Sequence, residues 1–295
     1  MYTVEEIIHG LKRSIEACST FRTDLNRNRI GHALNILNSV SLDSDGGLKV
    51  TRDEVWTAMI ESLDISYLHT FSVDVLKPVR KTLDRLPLGA FSYVNAGTDD
   101  QGRDIAFEIG TARWLAQAGG EISLGRPADV VATFPGYQLG VECKRVKKGR
   151  AIGSNLTCAA NQIIKHRAKG HDHPFAIAVD LSRAVNPGSD IMVAADEDEA
   201  VRLIHLNVER LFRENSRFIR TAMTDVVAAD VEAILFRVLV MIGDTAGKRI
   251  SIGNIWRVQP VVPVDSERFA QFREQFRSAP GHVDGAFRIE EIEAS

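Results

Sequence analysis

Glu142 and Lys144 stand two residues apart in the segment Tyr-Gln-Leu-Gly-Val-Glu-Cys-Lys that begins at residue 137. A strand turns successive side chains to opposite faces. Residues 137–146 read as such a strand, with Tyr137, Leu139, Val141 and Cys143 on a core face and Gln138, Gly140, Glu142 and Lys144 on an open one. A carboxylate beside an ammonium on an open face can hold a hard cation and neutralise charge developing on a phosphate oxygen. With 39 acidic residues in a chain of 295, one Asp/Glu-x-Lys triplet is about what chance supplies, so the pair means little without its context.

Pro135-Gly136 ends a preceding strand expected over 129–134. If the turn is centred there, opposed residues have numbers summing to 271, and Asp129 faces Glu142. Directly opposed Cβ atoms lie roughly 4.5–5.5 Å apart, where two carboxylates repel unless a cation lies between them. Magnesium suits the pair, because it takes one or two carboxylates and fills its remaining positions with water and phosphate oxygens. Proline disfavours the tightest hairpin turns, so a longer loop about the same centre is also compatible; an offset of one residue would break the pairing.

A helix over 104–118, stopped by Gly119-Gly120, precedes the hairpin. Ile105, Ile109, Ala112 and Leu115 form its apolar stripe, and Glu108 falls inside that stripe. A carboxylate on a buried face is costly unless paired or metal-bound. The expectation is therefore a site in which Asp129 and Glu142 hold Mg2+, with Mn2+ as a substitute, and Glu108 completes the shell or a second position. Lys144 would orient or deprotonate a water, or neutralise the transition state.

This ordered set resembles the PD-(D/E)-x-K nuclease superfamily, with its restriction-endonuclease-like fold: a helix glutamate, an aspartate on one strand, Glu-x-Lys on the next, then a helix. The resemblance covers roughly residues 100–185. It departs from the family at the Pro-Asp pair, which here reads Pro127-Ala-Asp129. It implies metal-dependent cleavage of nucleic acid, usually DNA, in a restriction or phage-defence setting. Some relatives carry a glutamine on the following helix, for which Gln162 is the candidate, with Lys165 and His166 beside it.

The elements that must position these residues are legible as patterns. Capping boxes at Thr3–Glu6 and Thr51–Glu54 mark helices in a helical N-terminal region over 1–95, with a polar loop at 43–47 and a turn-rich break at 95–102. Residues 96–295 read as the nuclease core. Strands are expected at 121–124, 175–181 and 249–262 and helices at 154–169, 197–213 and 266–277; 231–241 reads as a strand or a buried helix. The order is α/β with antiparallel pairs, hence a mixed sheet flanked by helices.

The net charge of −3 excludes a protein that coats nucleic acid with its whole surface, so any such contact is local. The local excess is clear: Lys144, Arg145, Lys147, Lys148, Arg150, Lys165, Arg167 and Lys169 lie between Glu142 and Gly170, with Glu142 the one acidic residue of that window. This is the footprint of phosphate-backbone contacts. Aromatics make up 7% of the chain and do not cluster near the site, which favours duplex DNA over single-stranded RNA. Three cysteines without CxxC spacing, no long apolar run and no signal-peptide pattern fit a reducing cytoplasm. His171-Asp-His173 reads as a loop and Asp180 as a strand-end cap. Cutting both strands at once needs two sites, so a homodimer is reasonable. The alternative is a noncatalytic nucleic-acid-binding or assembly module on the same fold.

Overall fold

The computed structural model of the chain describes residues 2–20, 22–42, 51–88, 101–188, 190–244, 250–263, 265–276 and 282–283. The expected loop at 43–47 and most of the break at 95–102 lie outside these residues. Two compact units are present: one of Met1–Arg113, Pro187–Ala195 and Val240–Gly253, the other of Trp114–Asn186, Asp196–Leu239 and Asn254–Ser295.

The first unit is mainly helical. Helices α1 (Val4–Ser19) and α3 (Arg52–Ile65) both begin in the expected capping boxes, each threonine hydroxyl and glutamate serving the other's backbone N–H. Helix α2 (Asn28–Leu42) packs on both, and Leu11, Leu37, Trp56 and Met59 are buried in the shared core. Glu61, also buried, is ion-paired with Arg29 and Arg103. Burying the three together satisfies charges that would be prohibitive singly. Helix α4 (Gln101–Gln117) starts three residues earlier than the expected 104.

The second unit holds most of a mixed, open sheet. Its strands are β1 (Glu121–Leu124), β2 (Val130–Phe134), β3 (Tyr137–Arg145), β4 (Phe175–Asp180), β6 (Val231–Asp244), β7 (Ile250–Pro260) and β8 (His282–Val283), hydrogen-bonded in the order β1-β2-β3-β4-β6-β7-β8. Strand β5 (Met192–Ala194) pairs in parallel with Ile242–Asp244 of β6. Strand β5, the end of β6 and the start of β7 are counted with the first unit. The β1-β2-β3 meander is antiparallel, and β3, β4 and β6 run parallel. The α/β reading with a mixed sheet holds. Residues 231–241, ambiguous in sequence, are strand; their two charges are buried and paired, Glu232 with Arg268 and Arg237 with Asp180. Every residue of β4 is buried, as a central parallel strand covered on both faces must be.

Helix α5 (Ile152–Arg167) packs on β3 and β4 through Leu156, Ala159, Ala160 and Ile163. Helices α6 (Glu197–Glu214) and α7 (Ser216–Ala228) follow β5. The α7 helix lies along α5, joined by the Thr157 hydroxyl donating to Asp225 at 2.7 Å. Beyond β7, α8 (Glu267–Phe276) closes the core: Phe276 stacks on Trp114 at 4.9 Å between ring centroids and meets Phe134 edge-on at 5.9 Å. Among the described residues no helix is long and apolar enough to cross a membrane.

Candidate metal and phosphate site

The hairpin turns on two residues. Phe134 pairs with Tyr137 and Val130 with Val141, the register centred on Pro135-Gly136. Gly136 has φ 72°, the left-handed conformation that a turn with proline at its second position asks of its third. The longer loop allowed by the sequence is not needed. The paired register ends at Val130 and Val141; Asp129, the residue just before β2, reaches β3 through its side chain. Asp129 Oδ2 accepts the backbone N–H of Cys143 at 2.8 Å, which holds the carboxylate over the neighbouring strand. Lys144 Nζ lies 3.5 Å from Glu142 Oε2 and 3.9 Å from Asp129 Oδ2, and donates to the Cys143 carbonyl at 3.0 Å. Two carboxylates and one ammonium thus converge.

The face expected to be open is covered. Glu142 is 1% exposed. Strand β4 pairs with β3 on its far edge, and the C-terminal half of α5 lies over the face that carries Glu142. There His166 Nε2 sits 3.0 Å from Glu142 Oε1, while its ring stacks almost parallel to Phe175, 5.9 Å between centroids. Burial first, and the charge of Asp129 second, push the Glu142 carboxyl up from 4.5 to about 7; Lys144 pulls only part of that back. Burial also lowers the His166 imidazole, with Lys169 and His171 adding to it. The second Glu142 oxygen, Oε2, is buried and accepts no hydrogen bond. The side chains of Lys144 and Asp129 are 14% and 27% exposed, so the way in from solvent lies on their side. Cys143, expected in the core, is only half-buried.

The remaining candidates divide. Glu108 lies half-buried on α4, beside buried Ile105, Ile109 and Ala112, in the part of that helix belonging to the first unit. Gln162 accepts from the Cys158 thiol of its own helix at 3.8 Å and makes no hydrogen bond to the carboxylates; the residue of α5 that reaches them is His166. Continuing the stripe of Leu156, Ala159 and Ile163 by three residues reaches 166, and that spacing is the signal that could have found it.

Two expected phosphate contacts are engaged elsewhere. The Arg145 side chain is 6% exposed and lies 3.5 Å from Asp180, which is buried and also paired with Arg237 at 3.2 Å. Arg167 donates to the carbonyls of Ala229 at 3.3 Å and Asp230 at 3.0 Å, tying α5 to the end of α7. Arg145 is held by Asp180 of β4 and Arg167 by the carbonyls that follow α7. Lys148, Arg150, Lys165 and Lys169 are exposed, and Lys147 is half-buried. Asp180 does cap its strand, accepting the Ser182 N–H at 3.0 Å. His171 and His173 remain loop residues, but His173 packs on Phe175 at 4.4 Å with a buried Nε2 that makes no hydrogen bond.

Among the described residues no group of three or more His, Cys, Asp or Glu side chains is set to hold a metal ion. Asp129 and Glu142 offer two carboxylates and an unsatisfied buried oxygen, a donor set suited to a hard cation that keeps most of its water. Compared with known proteins, the chain matches no family model and no curated protein.

Proposed function

We propose that this protein is a magnesium-dependent nuclease, a DNA endonuclease of the PD-(D/E)-x-K kind with a restriction-endonuclease-like core. The observation that carries this reading is the convergence of Asp129, Glu142 and Lys144, with Lys144 Nζ within 4 Å of both carboxylates. Bound between Asp129 and Glu142, Mg2+ would polarise the scissile phosphate and lower the pKa of a coordinated water. Asp129 is pre-set by the Cys143 N–H, and Glu142 is oriented by His166 from behind. Lys144 is placed to hold a water by its lone ammonium or to neutralise charge on a phosphate oxygen. Exposed Lys148, Arg150, Lys165 and Lys169 supply backbone contacts. A cytoplasmic homodimer suits double-strand cutting.

A second reading, a noncatalytic nucleic-acid-binding or assembly module, draws on the same distances: Lys144 already offsets part of the charge of the two carboxylates without any added cation. Plasmid DNA separates the two. Cleavage with Mg2+ that disappears in EDTA and in Lys144→Ala supports the nuclease. A folded wild-type protein that binds plasmid and leaves it intact with Mg2+ and with Mn2+ supports the module.

A further inference from the structure

We propose that a second basic surface, where the turn after β3 meets the joint between α6 and α7, grips the phosphate backbone of a DNA duplex at a fixed distance from the carboxylates. The choice of DNA as the polyanion rests on the nuclease reading. The surface itself rests on packing and charge.

Two glycines make the joint. A Cβ at Gly149 would come within 2.5 Å of Asn215 Nδ2 and 2.7 Å of Leu211 Cδ1; one at Gly153 would come within 2.5 Å of the Phe218 carbonyl oxygen. Only residues without side chains let the 147–153 turn sit directly on α6 and α7. That contact puts Lys148 and Arg150 beside Arg213 and Arg217, which flank Asn215, and near Arg210 and Arg220; all six are exposed. Across 147–153 and 210–220 there are seven basic residues and one acidic residue, Glu214, in a chain whose net charge is −3. Among the described residues Lys148, Arg150, Arg213, Arg217 and Arg220 form no ion pair, although the chain holds 39 acidic residues. A cluster of uncompensated cations on an acidic protein repels itself and is relieved by an external polyanion.

The spacing favours a nucleic-acid backbone. Helix α5 starts at this joint and ends at the carboxylates, for Gly153 packs on Phe218 and His166 on Glu142. Thirteen residues of one helix at about 1.5 Å each set the two places roughly 20 Å apart. At about 3.4 Å per phosphate along one strand, that is roughly six nucleotides. A duplex lying along α5 would present a phosphate to Lys144 and others to Arg213 and Arg217.

The test uses the full chain, a labelled duplex of about 30 base pairs, and fluorescence anisotropy in EDTA across a salt series. Arg213→Ala/Arg217→Ala should bind about tenfold more weakly, and its plot of log affinity against log salt should be shallower by about two. Arg202→Ala, an exposed arginine paired with Glu199 on the same helix, should match the wild type. If the arginine double variant misfolds by circular dichroism, Lys148→Ala/Arg150→Ala carries the same expectation from a surface turn. A folded double variant with wild-type affinity and slope overturns the proposal, as does a wild type that binds no duplex. Cleavage is scored separately in Mg2+. Loss of slope in a protein that never cuts removes the nuclease reading and keeps this surface; cutting with an unchanged slope does the reverse.

Discussion

His166 and Glu142, 24 residues apart in the chain, share a hydrogen bond of 3.0 Å beneath α5, and Phe175 holds the imidazole flat against the sheet. The bond fixes one oxygen of Glu142 and leaves the other, Oε2, turned toward Lys144. Groups that orient a metal ligand from behind usually matter about 10- to 100-fold. His166→Ala should therefore slow plasmid cleavage by about that factor and raise the Mg2+ concentration for half-maximal rate. His166→Gln, which can still donate, should recover part of the loss. Unaltered Mg2+ dependence in His166→Ala would show that the histidine merely fills space.

The Glu142 carboxyl yields a pH prediction. Burial first, then Asp129, raise it from 4.5 to about 7. A group raised on folding gives its full stabilisation below its unfolded value and loses it as pH climbs through the folded one. Metal-free protein should lose stability between pH 4.5 and about 7, and Glu142→Gln should flatten that slope. Mg2+ needs the ionised form, so its effect on Tm should grow through the same interval and level off above it. Thermal melts at several pH values, with and without Mg2+, read both. A Tm increment from Mg2+ that is constant across the interval would argue against Glu142 as a ligand.

Arg145 is expected to matter for the fold and not for DNA. Burial pushes the Asp180 carboxyl up, but Arg237 and Arg145 more than offset it and hold it below its ordinary range. Its stabilisation is present above that range and lost as pH falls through the lowered value. Removing one partner of a buried pair costs about 3–5 kcal/mol. Arg145→Ala and Asp180→Asn should both lower the denaturant midpoint markedly while DNA affinity per folded molecule stays near wild type. Lys148→Ala should do the opposite. Equal DNA losses in Arg145→Ala and Lys148→Ala would restore Arg145 to the phosphate surface.

What could be read in the sequence follows the range of the interactions. The hairpin register, and with it the approach of Asp129 to the Glu142–Lys144 segment, was legible because it is a local quantity, set by Pro135-Gly136. The capping boxes at Thr3 and Thr51 were legible for the same reason. The burial of Glu142 was not. Alternation tells two faces apart but not which of them a later helix covers, and α5 covers the polar one. The ion pair of Arg145 was hidden for a related reason: its partner, Asp180, is 35 positions away and reaches it across the parallel β3–β4 pairing, which leaves no local pattern. Helix α7 has a period in Ile219, Ala222 and Val226, blurred by the apolar but exposed Phe218 and Val227 beside it.

Gly140 faces the tightest part of this arrangement. It sits in β3 opposite Phe175 of β4, and a Cβ there would come within 2.6 Å of the Phe175 ring and 2.9 Å of His173 Nε2. Phe175 is fully buried and supports His166, so the ring has no free direction in which to yield. Overpacking of this sort typically costs about 1–3 kcal/mol. Gly140→Ala should lower Tm by several degrees and, by tilting Phe175, weaken the His166–Glu142 contact, so cleavage should fall further than the loss of folded protein explains. Shrinking the neighbour offers a check on the cause. In the Gly140→Ala/Phe175→Leu double variant the Cβ gains room, and the stability loss should be less than the sum of the single losses. Additive losses would mean the strand, not the ring, is what the glycine serves.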